Sequence, residues 1–146
     1  DEEDQPDPNA IDKKQIPEGV EIFEINGPFF FGAAKKFKDE MAVIEKPPKV
    51  RIIRMRNVPA VDATGLQTLK DFYSDAKKHN THMILSGVHT QPLYAMTQAG
   101  IFDLYGEDNI HGNIDDALDR AREVLNLPKL GRPKDFIPTV KRDMEN

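Results

Sequence analysis

Two oxygen-bearing side chains, Asp62 and Thr64, stand between a β-branched run and a helical pattern in this 146-residue chain. A carboxylate near a hydroxyl could activate that hydroxyl, but an ordinary carboxylate is a poor base for an alcohol, and no histidine lies near in sequence. The side-chain oxygen of either residue could instead cap the helix by accepting from a free backbone N–H group. Negative charge is also favoured at this N-terminal end of a helix. The pattern predicts a loop at a helix start, and capping alone can explain both residues.

Metal binding is a second chemistry to consider, because three histidines that could act as ligands are close in sequence: His79, His82 and His89. His79 is predicted to end a helix and His82 to open a strand, and such positions seldom converge without a carboxylate ligand. The chain also lacks glycine-rich phosphate-binding motifs and a Gly-x-Ser-x-Gly nucleophile motif. We therefore predict no catalytic residue, metal or cofactor, and an enzyme is the least favoured class.

Three arginines, Arg51, Arg54 and Arg56, lie on or beside the strand before Asp62, although this strand should be central and largely apolar. Arginine side chains can reach solvent from a strand end, so the pattern predicts an exposed end. The alternative is a basic strip that faces a partner, formed by Arg54 and Arg56. Nucleotide binding is a further possibility in the sequence, and only a helix N-terminus and these arginines support it.

The elements that position these residues follow from hydrophobic periodicity. Strands are predicted at residues 20–25, 29–31, 50–55 and 83–85, with a weak last strand at Ile110. Helices are predicted at residues 33–45, after 62–65, from 90–92 and after the cap Asn113; the first has an apolar stripe of Ala34, Phe37, Met41 and Ile44. The order β β α β α β α β α predicts an α/β fold whose later strands are mostly parallel.

The composition fits one compact domain with two polar ends. With 20 Lys and Arg against 25 Asp and Glu, the net charge of −5 argues against nucleic-acid binding. The absence of cysteine excludes disulfides, and no apolar run approaches the roughly 20 residues of a membrane span, so we expect a soluble, monomeric or weakly associating domain. Residues 1–18 are predicted to be an acidic flexible leader, 19–127 the domain, and 128–146 a proline-containing basic tail.

Two motifs resemble the STAS domain family, which is named for sulfate transporters and anti-sigma-factor antagonists. Residues 61–66, Val-Asp-Ala-Thr-Gly-Leu, are similar to its loop, where an Asp is followed two positions later by Ser or Thr. Residues 24–32, Glu-Ile-Asn-Gly-Pro-Phe-Phe-Phe-Gly, are similar to the domain's start in bacterial SulP anion transporters. The resemblance implies a mixed, mostly parallel sheet of about five strands, with about four helices chiefly on one face.

The resemblance also implies a role through protein contacts rather than catalysis. It implies a regulatory or scaffolding domain of a SulP transporter of sulfate or a related anion, at the cytoplasmic face of the inner membrane. Its partners would be the transmembrane domain of the same polypeptide and further cytoplasmic regulatory proteins or a nucleotide. The alternative is a free-standing anti-sigma-factor antagonist switched by phosphorylation of Thr64, with Ala63 in place of a frequent Ser. The candidate regulatory loop comprises Asp62, Thr64, Gly65 and Leu66.

Overall fold

A three-stranded parallel sheet forms the centre of the described chain. The computed structural model describes residues 15–27, 30, 32–43 and 46–131. The strands are β1 (Val20–Asn26), β2 (Val50–Asn57) and β3 (His82–Ser86), in the order β1-β2-β3. Because β2 pairs in parallel with both neighbours, it is the central strand.

Helices connect the strands and cover the sheet. In the described residues they are α1 (Ala33–Met41), α2 (Ala63–Lys78), α3 (Thr90–Gln98), α4 (Ile101–Tyr105) and α5 (Ile114–Val124), with a 3-10 turn at Glu107–Asn109. None of them is long and apolar enough to cross a bilayer. Helical crossovers between parallel neighbours make this an α/β fold, the class that the sequence predicts.

Two apolar clusters hold the sheet between its helices. The larger contains Ile53 and Met55 of β2 with residues from α1 to α4, and the Phe37 and Phe72 rings meet in it at 4.4 Å between centroids. The smaller contains Ile52 of β2 with Ile84, Ile114, Ala117, Leu118 and Ala121, so α5 covers the opposite face. This division follows the alternation of side chains along β2.

The sheet is smaller than predicted. The described part contains three strands rather than about five, and every pairing is parallel rather than mixed. Phe30, predicted in a strand over residues 29–31, is buried with a left-handed backbone (φ 62°) instead of an extended one, and Phe29 and Phe31 lie outside the described residues. Ile110 makes one isolated bridge to Leu85, because α5 begins too soon afterwards for a longer ladder.

The helices also differ from the prediction in two places. Helix α1 ends at Met41, and it buries Ala33 with Phe37, one turn apart, while Ala34 is exposed; Ile44 and Glu45 lie outside the described residues. Beyond Gly100, where no helix is predicted, the chain forms α4 and buries Ile101 and Tyr105. Two apolar residues spaced i and i+4 are too short a pattern to predict a helix, and their burial depends on the larger cluster.

Candidate functional site

The predicted loop connects the carboxyl end of β2 to the amino end of α2, and two valines anchor it. Val58 is fully buried and Val61 is 4% exposed, and both belong to the larger apolar cluster. The Val58 N–H also donates to the Met55 carbonyl oxygen at 3.0 Å. Two buried side chains with a polar backbone contact leave the loop little freedom to move.

Asp62 is the N-cap of α2. Its Oδ1 accepts from the Gly65 N–H at 2.9 Å, and its carbonyl oxygen accepts from the Leu66 N–H at 2.9 Å. Its backbone is extended, with φ −97° and ψ −175°, as an N-cap residue requires. The capping that the sequence allowed for either oxygen therefore comes from Asp62.

The other three residues of the candidate loop divide between surface and core. Thr64 is exposed on the first turn of α2, and its carbonyl oxygen accepts from the Thr68 hydroxyl at 3.0 Å. Gly65 is buried, and Leu66 is partly buried against the larger cluster. Asp62 and Thr64 thus face solvent from a turn whose next two residues face inward.

Gln91, which the sequence analysis did not single out, holds the loop from a neighbouring helix. Its Oε1 accepts from the Val61 N–H at 2.8 Å, and its Nε2 donates to the Val61 carbonyl oxygen at 3.5 Å. One side-chain amide therefore satisfies both backbone groups of a buried residue, as a neighbouring strand would. The available signal was a glutamine in the first turn of a predicted helix.

The loop between β3 and α3 also packs closely on the end of β2. His89 Nε2 lies 2.6 Å from the Arg56 carbonyl oxygen, and because a carbonyl only accepts, Nε2 carries the hydrogen. At Gly87, with φ 68°, an added Cβ would lie 2.7 Å from the Arg56 backbone nitrogen. The amino ends of α2 and α3 are therefore joined through this loop and Gln91.

Arg51 and Arg54 of β2 are buried and do not form the predicted exposed strand end. Arg51 is 3% exposed and Arg54 is 2% exposed, because both belong to the central strand. The Arg51 guanidinium lies 5.0 Å from the Phe37 ring centroid, and its Nη2 is 3.0 Å from the Met41 sulfur. Burial excludes Arg54 from the predicted partner-facing strip.

Arg56 is the most accessible of the three and is already engaged. Its Nε donates to Glu24 Oε1 of β1 at 3.0 Å, and both side chains are about one third exposed. The role of Arg56 toward a partner stays a prediction.

The histidines make separate contacts. His79 Nδ1 lies 2.9 Å from the Asp75 carbonyl oxygen, His82 Nε2 lies 2.8 Å from Asn109 Oδ1, and His89 contacts Arg56. Among the residues that the structure describes, no three His, Cys, Asp or Glu side chains are grouped as metal ligands would be. The arrangement instead offers an exposed hydroxyl, that of Thr64, on a firmly held turn.

Comparisons with known proteins agree with this geometry. The family model for the STAS domain matches residues 12–117. A crystal structure of a sulfate transporter family protein from Wolinella succinogenes is 45% identical, with a TM-score of 0.77, covering 83% of this chain and 99% of that one. The SulP transporter STAS domain from Vibrio cholerae is 30% identical, with a TM-score of 0.70, covering 82% of this chain and 94% of that one.

In longer relatives, the similar region is a small part of the whole sequence. "Probable sulfate transporter 4.2" of Arabidopsis thaliana is 26% identical over 133 residues, which is 79% of this chain and 20% of that protein. The chain spans about one fifth of the length of the curated relatives that it matches. The chain belongs to the STAS domain family and is homologous to sulfate transporters.

Proposed function

We propose that this chain is the cytoplasmic STAS domain of a SulP-type transporter of sulfate or a related anion, where it regulates or scaffolds transport through protein contacts. The observation that carries the proposal is the 45% identity to the Wolinella succinogenes sulfate transporter family protein, which extends over 99% of that chain. Its location is the cytoplasmic face of the inner membrane, and its first partner is the transmembrane domain of the same polypeptide.

The contact surface in this proposal is the turn that contains Asp62 and Thr64. Thr64 is exposed, while Val61 and Gly65 on either side are buried, so the turn presents its surface on a rigid support. Binding to a preformed surface avoids the entropy cost of ordering a loop. The Val61 contacts with Gln91 keep that surface in place relative to α3.

A negative charge at Thr64 is the perturbation to which this turn should respond. The N-terminus of α2 favours an anion through its dipole, whereas the carboxylate of Asp62 opposes it. The Asp62 carboxylate already accepts from the Gly65 N–H, which offsets part of that repulsion. A charge at Thr64 should therefore change the surface without unfolding the helix.

The test is anion uptake by the full-length protein that carries Thr64→Glu. We expect altered uptake with an unfolding temperature near that of the wild type. Thr97→Glu is the control, because Thr97 is also exposed on a helix but lies outside the turn. If both variants transport like the wild type, contact through this turn is refuted.

The exposed Thr64 hydroxyl, two residues after the capping Asp62, also supports a second function, that of an anti-sigma-factor antagonist switched by phosphorylation. The coding sequence upstream of Asp1 distinguishes the transporter domain from the antagonist. Ten or more apolar segments upstream of Asp1 support the transporter domain, and an in-frame start codon close to Asp1 supports the antagonist.

A further inference from the structure

A cavity of about 140 Å³ lies beside β3, far along α2 from the Asp62 turn. Side chains from the end of α2, the start of β3, α4 and the following 3-10 turn form its walls: Tyr73, Lys77, His82, Met83, Tyr105 and Asn109. An apolar cavity of about 150 Å³ can hold a benzene molecule. The size therefore suits one six-membered ring or a short acyl chain.

Two tyrosines give this cavity aromatic walls. The Tyr73 and Tyr105 ring centroids are 5.1 Å apart, with 58° between the ring planes. The Tyr105 hydroxyl donates to the Leu69 carbonyl oxygen at 2.6 Å, which locks that ring. Burial, reinforced by Tyr73, raises the pKa of the Tyr105 phenol well above its usual range, so it stays a neutral donor. The tyrosine side of the cavity is thus aromatic, fixed and uncharged.

A hydrogen-bond network orients the polar side of the cavity. Asn109 Oδ1 accepts from Arg120 Nε at 3.0 Å and lies 2.8 Å from His82 Nε2. The Asn109 Nδ2 donates to the Tyr105 carbonyl oxygen at 2.8 Å, so its amide orientation is determined on both sides. Because Asn109 Oδ1 can only accept, His82 Nε2 carries a hydrogen and donates it to that oxygen.

The charge of the lining points to an anion. Lys77 is exposed at the cavity, and the lining contains no carboxylate although the chain carries a net charge of −5. Two other cavities differ in this respect. The cavity beside Arg51 contains Asp75, and the open groove along α5 contains Glu107, Asp108, Asp116, Asp119 and Glu123. The lining of the cavity beside β3 therefore favours an anion that can also pack an apolar body.

We propose that this cavity binds a small planar organic monocarboxylate, with its ring or acyl body against Tyr73 and Tyr105 and its carboxylate beside Lys77. Neither this ligand class nor its site depends on the role of the Asp62 turn. A probe with nine non-hydrogen atoms in a partly open site should bind with a dissociation constant of about 1 mM. Binding of that strength is suited to NMR titration.

The experiment titrates the 146-residue chain with sodium benzoate at constant ionic strength and follows the tyrosine ring signals. The chain has three tyrosines, and Tyr94, which is 66% exposed on α3, serves as the internal reference. We expect saturable shifts at Tyr73 and Tyr105 but not at Tyr94. Benzamide, which has the same shape without the charge, should bind about fivefold more weakly.

Matched variants test the role of the cation. Lys77→Gln should weaken benzoate binding about fivefold, whereas Lys78→Gln, a neighbour on α2 outside the lining, should not. Both lysines are exposed, so both variants should fold, and thermal unfolding verifies this. Three results would overturn the proposal: equal shifts at Tyr94, equal affinity for benzamide, or benzoate binding that is unchanged in Lys77→Gln.

Discussion

Replacing Gly87 by alanine tests whether the close packing between the loop after β3 and the end of β2 stabilises the domain. The added Cβ would lie 2.7 Å from the Arg56 nitrogen and 2.8 Å from its Cα, whereas ordinary contacts to a Cβ begin near 3.4 Å. These are backbone atoms of a central strand, so no side-chain rotation can relieve the overlap. The loop must move instead, together with the His89 contact to the Arg56 carbonyl oxygen.

The magnitude follows from two costs. Alanine at φ 68° carries the left-handed backbone penalty of about 1 kcal/mol, and overpacking against fixed atoms adds about 1–3 kcal/mol. Gly100 provides the control, because its φ is 78° but nothing lies within 4 Å of its added Cβ. We expect Gly87→Ala to lower the free energy of unfolding by about 3 kcal/mol and Gly100→Ala by about 1 kcal/mol.

Urea denaturation followed by circular dichroism measures both values on the same chain. The difference of about 2 kcal/mol isolates the contact from the backbone conformation, because both variants replace a glycine of positive φ by the same residue. Equal losses of stability in the two variants would refute the reasoning and would show that the loop after β3 accommodates the methyl group.

Three further predictions concern the core, the cap and the buried tyrosine. Phe72→Ala should lower the free energy of unfolding by about 3–5 kcal/mol, because Phe72 stacks within the larger cluster, and a loss below 1 kcal/mol in urea denaturation would contradict this. Asp62→Ala should cost about 1 kcal/mol and Thr64→Ala less, since only the Asp62 side chain caps α2; the reverse order in thermal unfolding would refute that assignment. The raised pKa of Tyr105 means that stability is fully present below the ordinary value of 10.0 and is lost as pH rises above it. Tyr105→Phe should reduce this alkaline loss while costing about 1 kcal/mol at neutral pH for the bond to Leu69, and an unchanged alkaline profile would exclude Tyr105 as its source.

Local patterns in the sequence were sufficient to predict most helices and strands. Alternating and β-branched runs marked β1 and β2, and helical spacing with Asn113 as the cap marked α5, where the Asn113 Oδ1 accepts from the Asp116 N–H at 2.9 Å. The same reasoning located the turn at Asp62. These features depend on residues within one or two turns of each other, so the sequence alone carries them.

Local sequence patterns did not predict the number of strands correctly. Three phenylalanines in a row read as a strand, yet Phe30 adopts φ 62° and packs its ring near Phe72. Ile110 was predicted in a weak last strand, yet it makes only a single bridge to Leu85 of β3. Both outcomes are decided by contacts between residues far apart in the chain, which a window of a few residues does not contain.

The burial of Arg51 and the support of the Asp62 turn were likewise decided by tertiary structure. Charge in a strand predicts exposure, but Arg51 is buried because Phe37 and Met41 of α1 and Glu21 of β1 surround its guanidinium. Gln91 stabilises the turn through the backbone of Val61, thirty positions earlier. A side chain's partners in such cases are set by the packing of whole elements, and hydrophobic periodicity describes only which face of an element turns inward.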